Sequence, residues 1–226
     1  MKIDKIDKLL LGLIAFYLVL SPVVWMTTGD FLHMFLGWNL ILAVVPIILA
    51  KMILMKKHKL GITIALSVFW LLFLPNSFYL ITDLIYLSER IFIFQAHPYA
   101  EVIYLADYVN WMVLFHIISG VFISLFAGCY ALSMMHEFGI GKIGKKRANI
   151  ALVAVAFLSS VGIYIGRFFR YNSWNILSLW DVVCDLVDNI GFDMAFFIAG
   201  YTGLHLLVYG LFWMTANRTP LKMQIE

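Results

Sequence analysis

Three groups of residues in this sequence have types and spacings that could do chemistry, and all lie within or beside long apolar runs, where ionisable side chains are costly and often functional. The first is Gly166-Arg167-Phe168-Phe169-Arg170-Tyr171-Asn172-Ser173-Trp174. Arg167 and Arg170 are three apart and share a helix face if the helix persists. A guanidinium offers a planar, two-pronged grip on phosphate or carboxylate. These arginines therefore either hold an anionic ligand or pair with Asp83 or with the aspartates further along. The second group is Pro75-Asn76, followed by Thr82-Asp83. Proline removes a backbone donor and clashes with the preceding turn, so a helix should kink or end there. That leaves a carbonyl free for a ligand or for Asn76, or makes these residues the cap of a helix terminus. The third group is His116 and His205. Histidine moves protons near neutral pH, and the competing reading of each is a satisfied interhelical donor. His97 could join a site if its segment folds inward, whereas His33, His58 and His136 read as interfacial.

The elements that carry these residues are set by composition. Hydrophobic residues make up 63% and charged residues 13% of 226, against about 25% charged in an ordinary soluble domain. A single soluble core cannot bury that much apolar surface, so the bilayer is the expected solvent. A spanning helix needs about 20 consecutive apolar residues. Six such runs predict helices over Leu9–Trp25, His33–Leu54, Leu60–Ile81, Asn110–His136, Ala148–Phe168 and Met194–Ala216. The expected fold is an all-α integral membrane bundle of six transmembrane helices, one polytopic domain over residues 1–226.

Lysine and arginine orient it. Lys2, Lys5 and Lys8 precede the first run; Lys51, Lys56, Lys57 and Lys59 fall between the second and third; Lys142, Lys145, Lys146 and Arg147 between the fourth and fifth; Arg218 and Lys222 after the sixth. Of sixteen cations, only Arg90, Arg167 and Arg170 fall on the other side. Cytoplasmic loops carry the positive charge, so both termini are expected in the cytoplasm. The first run has a basic start but no small-residue cleavage site, and reads as a retained span rather than a signal peptide. A basic inner side suits anionic lipid headgroups. Its cations are spread over short connectors, which does not suit nucleic acid.

Between the spans, Glu137–Arg147 is rich in glycine and lysine and reads as a flexible inner loop. Two outer segments are long, Thr82–Val109 and Phe169–Asp193, and long loops in a compact chain are commonly functional. Asn175–Ile190 reads as an interfacial helix in the last outer loop, with Asp181, Asp185 and Asp188 on one face and an apolar opposite face. That acidic face is solvated or takes a hard cation. Ile91-Phe92-Ile93-Phe94 would dip into the headgroups. Stripes of small residues predict close helix packing: Gly120, Ser124 and Gly128; Ser159, Gly162 and Gly166; Ala199, Gly203 and Gly210. No phosphate-binding glycine loop, metalloprotease His-Glu-x-x-His or nucleophile elbow occurs, the two cysteines have no metal-type spacing, and no cofactor is expected.

Two stretches carry a resemblance: Trp70-Leu-Leu-Phe-Leu-Pro-Asn-Ser-Phe-Tyr-Leu-Ile-Thr-Asp-Leu84, and Gly162-Ile-Tyr-Ile-Gly-Arg-Phe-Phe-Arg-Tyr-Asn-Ser-Trp-Asn175, with Trp38-Asn39 to Pro46 in support. They resemble a bacterial membrane-protein family catalogued as domain of unknown function 1361, over roughly residues 35 to 190. The resemblance implies a multi-pass protein of a bacterial cytoplasmic membrane and brings no activity with it. It also implies His in place of Tyr86 and Asp in place of Asn175 in other members, so neither position supplies an indispensable proton here.

The expected site faces outward and is built from Asn76, Asp83, His116, Arg167, Arg170 and Asn172. Asp83 or His116 would act as general base, and Asn76, Arg167, Arg170 and Asn172 would bind the substrate. A cation pair at headgroup depth beside titratable groups suits a phospholipid or lipid-linked phosphate. A small-anion permease and a non-catalytic membrane assembly partner are the alternatives.

Overall fold

The computed structural model describes residues 5–55, 58–171 and 179–216. Six helices are long and apolar enough to cross a membrane. They are α1 (Lys5–Thr28), α2 (Leu32–Met55), α3 (Leu60–Tyr79), α4 (Tyr108–Ile143), α5 (Lys145–Tyr164) and α7 (Phe192–Ala216), with a short α6 (Leu179–Asp188) before the last. Their large outward side chains are apolar, among them Phe16, Phe122 and Leu207, which suits hydrocarbon surroundings rather than water.

Two adjoining cores hold the bundle. One lies among α1, α2 and α4 around Leu36, Leu40 and Ile117. The other joins α2, α3, α4, α5 and α7 around Leu74, Phe78 and Ile163. α2 packs on α1, α3 and α4; α5 packs on α3, α4 and α7. The end holding the α1–α2 turn, the α3–α4 connection and α6 is called the loop end below; the opposite end, where α1 starts and α7 finishes, is the terminal end.

Glycines mark the closest approaches. A Cβ on Gly162 of α5 would lie 2.8 Å from the Pro75 ring of α3, and one on Gly128 of α4 would lie 2.8 Å from Phe78 and Ser77. Gly120 leaves room for the Tyr17 ring, whose hydroxyl would otherwise stand 2.5 Å from a Cβ. The expected packing stripe on the last helix does not hold, because Gly203 and Gly210 look onto open space.

Several other expectations change. α3 runs through Pro75 and neither ends nor breaks there; bilayer helices tolerate proline because neighbours re-satisfy the freed groups. Beyond Tyr79 the chain tightens into a 3-10 helix over Leu80–Glu89, much longer than the usual 3–4 residues, so the first part of the expected outer loop is helical. The Thr82 and Ser88 hydroxyls donate to the Tyr79 and Ile85 carbonyls at 2.7 and 2.6 Å, supporting the tighter winding. Ile93–Phe94 pairs antiparallel with Ile103–Tyr104 as a small hairpin of β1 and β2. Its backbone groups are met by a partner strand, which an isolated dipping segment would lack.

The glycine- and lysine-rich inner loop is also helical. α4 continues to Ile143, and the turn into α5 is Gly144 alone, at φ 82°. Glycine costs a helix about 1 kcal/mol, but α4 packs against α5, and packing decides. Lys51 is not in a connector: it lies within α2, buried, with its ammonium on the Asp7 carboxylate of α1 and over the Tyr130 ring. A helix is present in the expected range as α6; the earlier part of that range, residues 175–178, lies outside the described residues. Tyr171 donates to Asp185 at 3.0 Å. That bond holds the phenol above its ordinary range and ties α6 to the end of α5.

The Gly162–Pro75 contact makes a prediction. Gly162→Ala should destabilise the protein by about 1–3 kcal/mol, the usual cost of overpacking, and Pro75→Ala in the same chain should recover part of it. Gly203→Ala should be neutral. Thermal unfolding in detergent measures all three; equal losses at Gly162 and Gly203 would contradict the packing.

Candidate functional site

Two polar centres lie towards the loop end. The first joins the two motifs. In a 3-10 helix, side chains at i and i+3 eclipse, so Asp83 and Tyr86 stack on one face. Arg167 reaches both: its Nη1 lies 3.0 Å from Asp83 Oδ1 and 3.5 Å from Tyr86 Oη, and its Nη2 donates to the Thr82 carbonyl at 3.2 Å. The guanidinium also stands 5.0 Å over the Tyr86 ring. Asp83 is 3% exposed. Asn39 of α2 is a polar neighbour of its carboxylate, yet no donor completes a hydrogen bond to Oδ2.

Arg170 goes elsewhere. Ile165–Phe169 winds as a π turn and Arg170 ends it in the left-handed conformation, φ 60° and ψ 25°. A π turn rotates less per residue than an α turn, so residues three apart no longer share a face. Arg167 turns inward and Arg170 is exposed, with no ion pair among the described residues. Asn172 lies outside the described residues. Asn76 donates to the Phe73 carbonyl at 3.0 Å, which supports the backbone near Pro75.

His116 belongs to the second centre, with Tyr17 and Ser21 of α1 and His33 of α2. The hydrogen bonds assign the tautomers. Ser21 Oγ donates to the Tyr17 carbonyl at 2.9 Å, so it accepts from His116 Nε2–H at 3.1 Å. His116 Nδ1 is then an acceptor, meeting His33 Nδ1–H at 3.2 Å and the Tyr17 hydroxyl at 3.4 Å. Tyr17 stacks on the His116 ring, with centroids 4.3 Å apart. His33 is left with a buried Nε2 that no group among the described residues meets. Beside it lie Asp30 and Arg90, an ion pair at 3.6 Å. His33 is thus not interfacial: it is fully buried, because its place in the first turn of α2 faces α4. Its signal in the sequence was weak, since a histidine at the edge of an apolar run reads equally as a surface residue.

The two centres are neighbours. Tyr17 touches His116 and stands within electrostatic reach of Asp83. His205 is separate: its Nδ1–H donates to the Tyr201 carbonyl at 3.0 Å, Ser159 meets its Nε2 at 3.1 Å, and the Phe78 ring covers it at 3.9 Å. It is a satisfied contact between α5 and α7. His97 is exposed and joins neither centre.

A groove of about 680 Å³ runs along the outside of the bundle between α1 and α4. Apolar side chains such as Leu13, Phe16, Phe115 and Phe122 line it, Tyr108 and Trp111 stand at its loop end, and Tyr17, His116 and Ser119 supply its polar groups. Asp83 and Arg167 do not line it.

A family profile described as Protein of unknown function (DUF1361) matches residues 38–208. The chain belongs to this family. The DUF1361 match covers about three quarters of the chain and takes in Asp83, His116 and Arg167. It reaches Val208 in α7, further than the two sequence stretches extend, while Tyr17, Ser21 and His33 precede it. No curated protein and no solved structure matches the chain.

The arginines should separate on mutation. Arg167→Ala leaves a buried carboxylate without its partner and should cost about 3–5 kcal/mol. Arg167→Lys should recover little, because an ammonium cannot span Asp83, Tyr86 and the Thr82 carbonyl together. Arg170→Ala should stay within about 0.5 kcal/mol of wild type, as exposed sites do. Thermal stability of the purified variants is the measurement; equal losses at both arginines would contradict the assignment.

Proposed function

We propose that this DUF1361 protein works at the outer face of a bacterial cytoplasmic membrane, where it binds a phospholipid or lipid-linked phosphate and exchanges a proton with it through His116. The observation that carries this reading is that His116 lines a lipid-facing groove while its remaining contacts hold it in one tautomer. The substrate's chain would lie along the apolar walls between α1 and α4. Its polar part would sit at the level of His116, about 12 Å along α4 from Tyr108 at 1.5 Å per residue. In a bilayer with a hydrocarbon core about 30 Å thick, that is the upper acyl and ester region.

The histidine pair suits general acid–base work, which needs a group within hydrogen-bond reach of the proton it moves. A proton given up by His116 can be replaced across the 3.2 Å contact from His33, whose free Nε2 can be reloaded from the Asp30–Arg90 side. Arg90 is the guanidinium beside this centre; its pair with Asp30, at 3.6 Å, is looser and more exposed than the 3.0 Å pair of Arg167 with Asp83, so Arg90 suits an anionic headgroup better. Asp83 and Arg167 then position the site, instead of serving as base and phosphate ligand. The outward orientation rests on the cation distribution: thirteen of sixteen lysines and arginines lie in the tails, in the inner connections or beside them.

The test uses the purified protein in nanodiscs of phosphatidylethanolamine and phosphatidylglycerol, with lipid products read by mass spectrometry. Ser119→Trp fills the groove and should abolish conversion. His116→Gln keeps the shape and should retain lipid while losing at least 100-fold in conversion, the typical contribution of an acid or base being about 10²–10⁴-fold. Cys184, exposed on α6, should label with a membrane-impermeant maleimide in intact cells. Unaltered conversion in folded Ser119→Trp, or Cys184 labelling only after lysis, would overturn the reading.

A further inference from the structure

A second groove lies towards the terminal end, between α3, α4 and α5, and no part of the loop-end chemistry uses it. It measures about 310 Å³ and is lined almost wholly by apolar groups, including Leu71, Met135, Phe138 and Leu152. That is the low end of the range of about 300–1,000 Å³ for small-molecule sites, room for a stretch of one flexible chain. Two features suggest its occupant.

The first is Trp70, which lines the groove, is 4% exposed and has an indole N–H with no acceptor among the described residues. A buried donor without a partner is unfavourable, and more so where no water can reach it. An acceptor on an occupant of the groove would remove that cost. The other polar side chains there are already engaged, Ser67 by the Thr63 carbonyl at 2.8 Å and His136 by Tyr209 at 2.8 Å and Asn149 at 3.0 Å, so Trp70 is the group with an unmet demand.

The second feature is charge. α4 is 36 residues long, roughly 54 Å at 1.5 Å per residue, well beyond the hydrocarbon core. Its last turns carry the groove to the basic turn into α5, where Lys142, Lys145, Lys146 and Arg147 are exposed. Lys142 stands 5.7 Å over the ring of Phe138, which lines the groove. Cations thus gather at one rim of an apolar slot whose one unmet donor among the described residues is Trp70.

We infer that the α3–α4–α5 groove is a binding site for an anionic phospholipid of the leaflet at the terminal end. One acyl chain lies in the slot, an ester carbonyl accepts from Trp70 Nε1, and the phosphate meets the Lys142–Arg147 turn. A zwitterionic lipid would satisfy the slot and the indole but would gain less from the rim, where each nearby cation is worth about one further increment of attraction to an anionic surface. The site stands apart from the α1–α4 groove, and neither depends on the other.

Native mass spectrometry of full-length protein released from nanodiscs of mixed phosphatidylglycerol and phosphatidylethanolamine tests this. Wild type should retain phosphatidylglycerol in preference. Trp70→Phe keeps the ring and removes the donor, and should lower retention about 5-fold. Ala151→Trp fills the slot and should abolish it, and Lys142→Glu/Lys145→Glu/Lys146→Glu should abolish the preference for the anionic lipid. The same measurements in a Ser119→Trp background, which blocks only the other groove, should give the same losses, so the two lipid readings fail separately. Thermal unfolding checks that each variant is folded. Unchanged phosphatidylglycerol retention in folded Trp70→Phe and Ala151→Trp, or equal retention of both lipids by wild type, would overturn the inference.

Discussion

Arg167 and Asp83 meet where neither can fall back on water, and the loop end is arranged around that meeting. A buried carboxylate loses its hydration and must be compensated by a partner of good geometry. Here the guanidinium supplies it, and reaching it shapes two stretches of backbone. The chain beyond Tyr79 winds as a 3-10 helix, which stacks Asp83 and Tyr86 on one side. The end of α5 opens into a π turn, which brings Arg167 inward and leaves Arg170 outside. Gly162 against Pro75 lets α5 and α3 come close enough for the pair to form. Tyr17 stands between this pair and the histidines, so the ion pair and the proton-carrying centre share a wall.

Much of this was legible in the sequence because the bilayer is a simple solvent. It demands apolar runs of a fixed length, and all six were readable, with α2 matching to within one residue at each end. The Asp83–Arg167 encounter was also within reach: two exceptional polar motifs at the same depth have few partners other than each other. The sequence stretches that resemble DUF1361 carry this encounter.

What stayed hidden has a common cause. Periodicity says little where a helix is apolar all round, so the direction of a polar residue at a span's edge is not encoded locally. His33 looked interfacial and Lys51 looked like part of a connector, yet both are buried because their faces of α2 meet α4 and α1. Glu137–Arg147 looked like a loop because glycine and lysine dominate it, whereas packing of α4 on α5 keeps it helical apart from the turn at Gly144. The small-residue stripe of α7 misled in the opposite sense: small side chains permit close packing but do not require it. The π turn had no local signal at all.

The two ends divide the protein's chemistry. At the loop end a histidine pair borders an apolar groove; at the terminal end a buried lysine–aspartate pair fastens α1 to α2 beside a cation-rimmed slot. The central claim is that a lipid lies in the α1–α4 groove against His116. It is tested most directly by replacing Phe115, which lines the groove, with a photoreactive benzophenone side chain and irradiating membranes that contain the full chain. The account predicts a lipid adduct on the protein that is markedly stronger than one formed from position 150, an exposed apolar position on α5, and that is lost when Ser119→Trp fills the groove. Equal, unselective lipid labelling at positions 115 and 150 would contradict it.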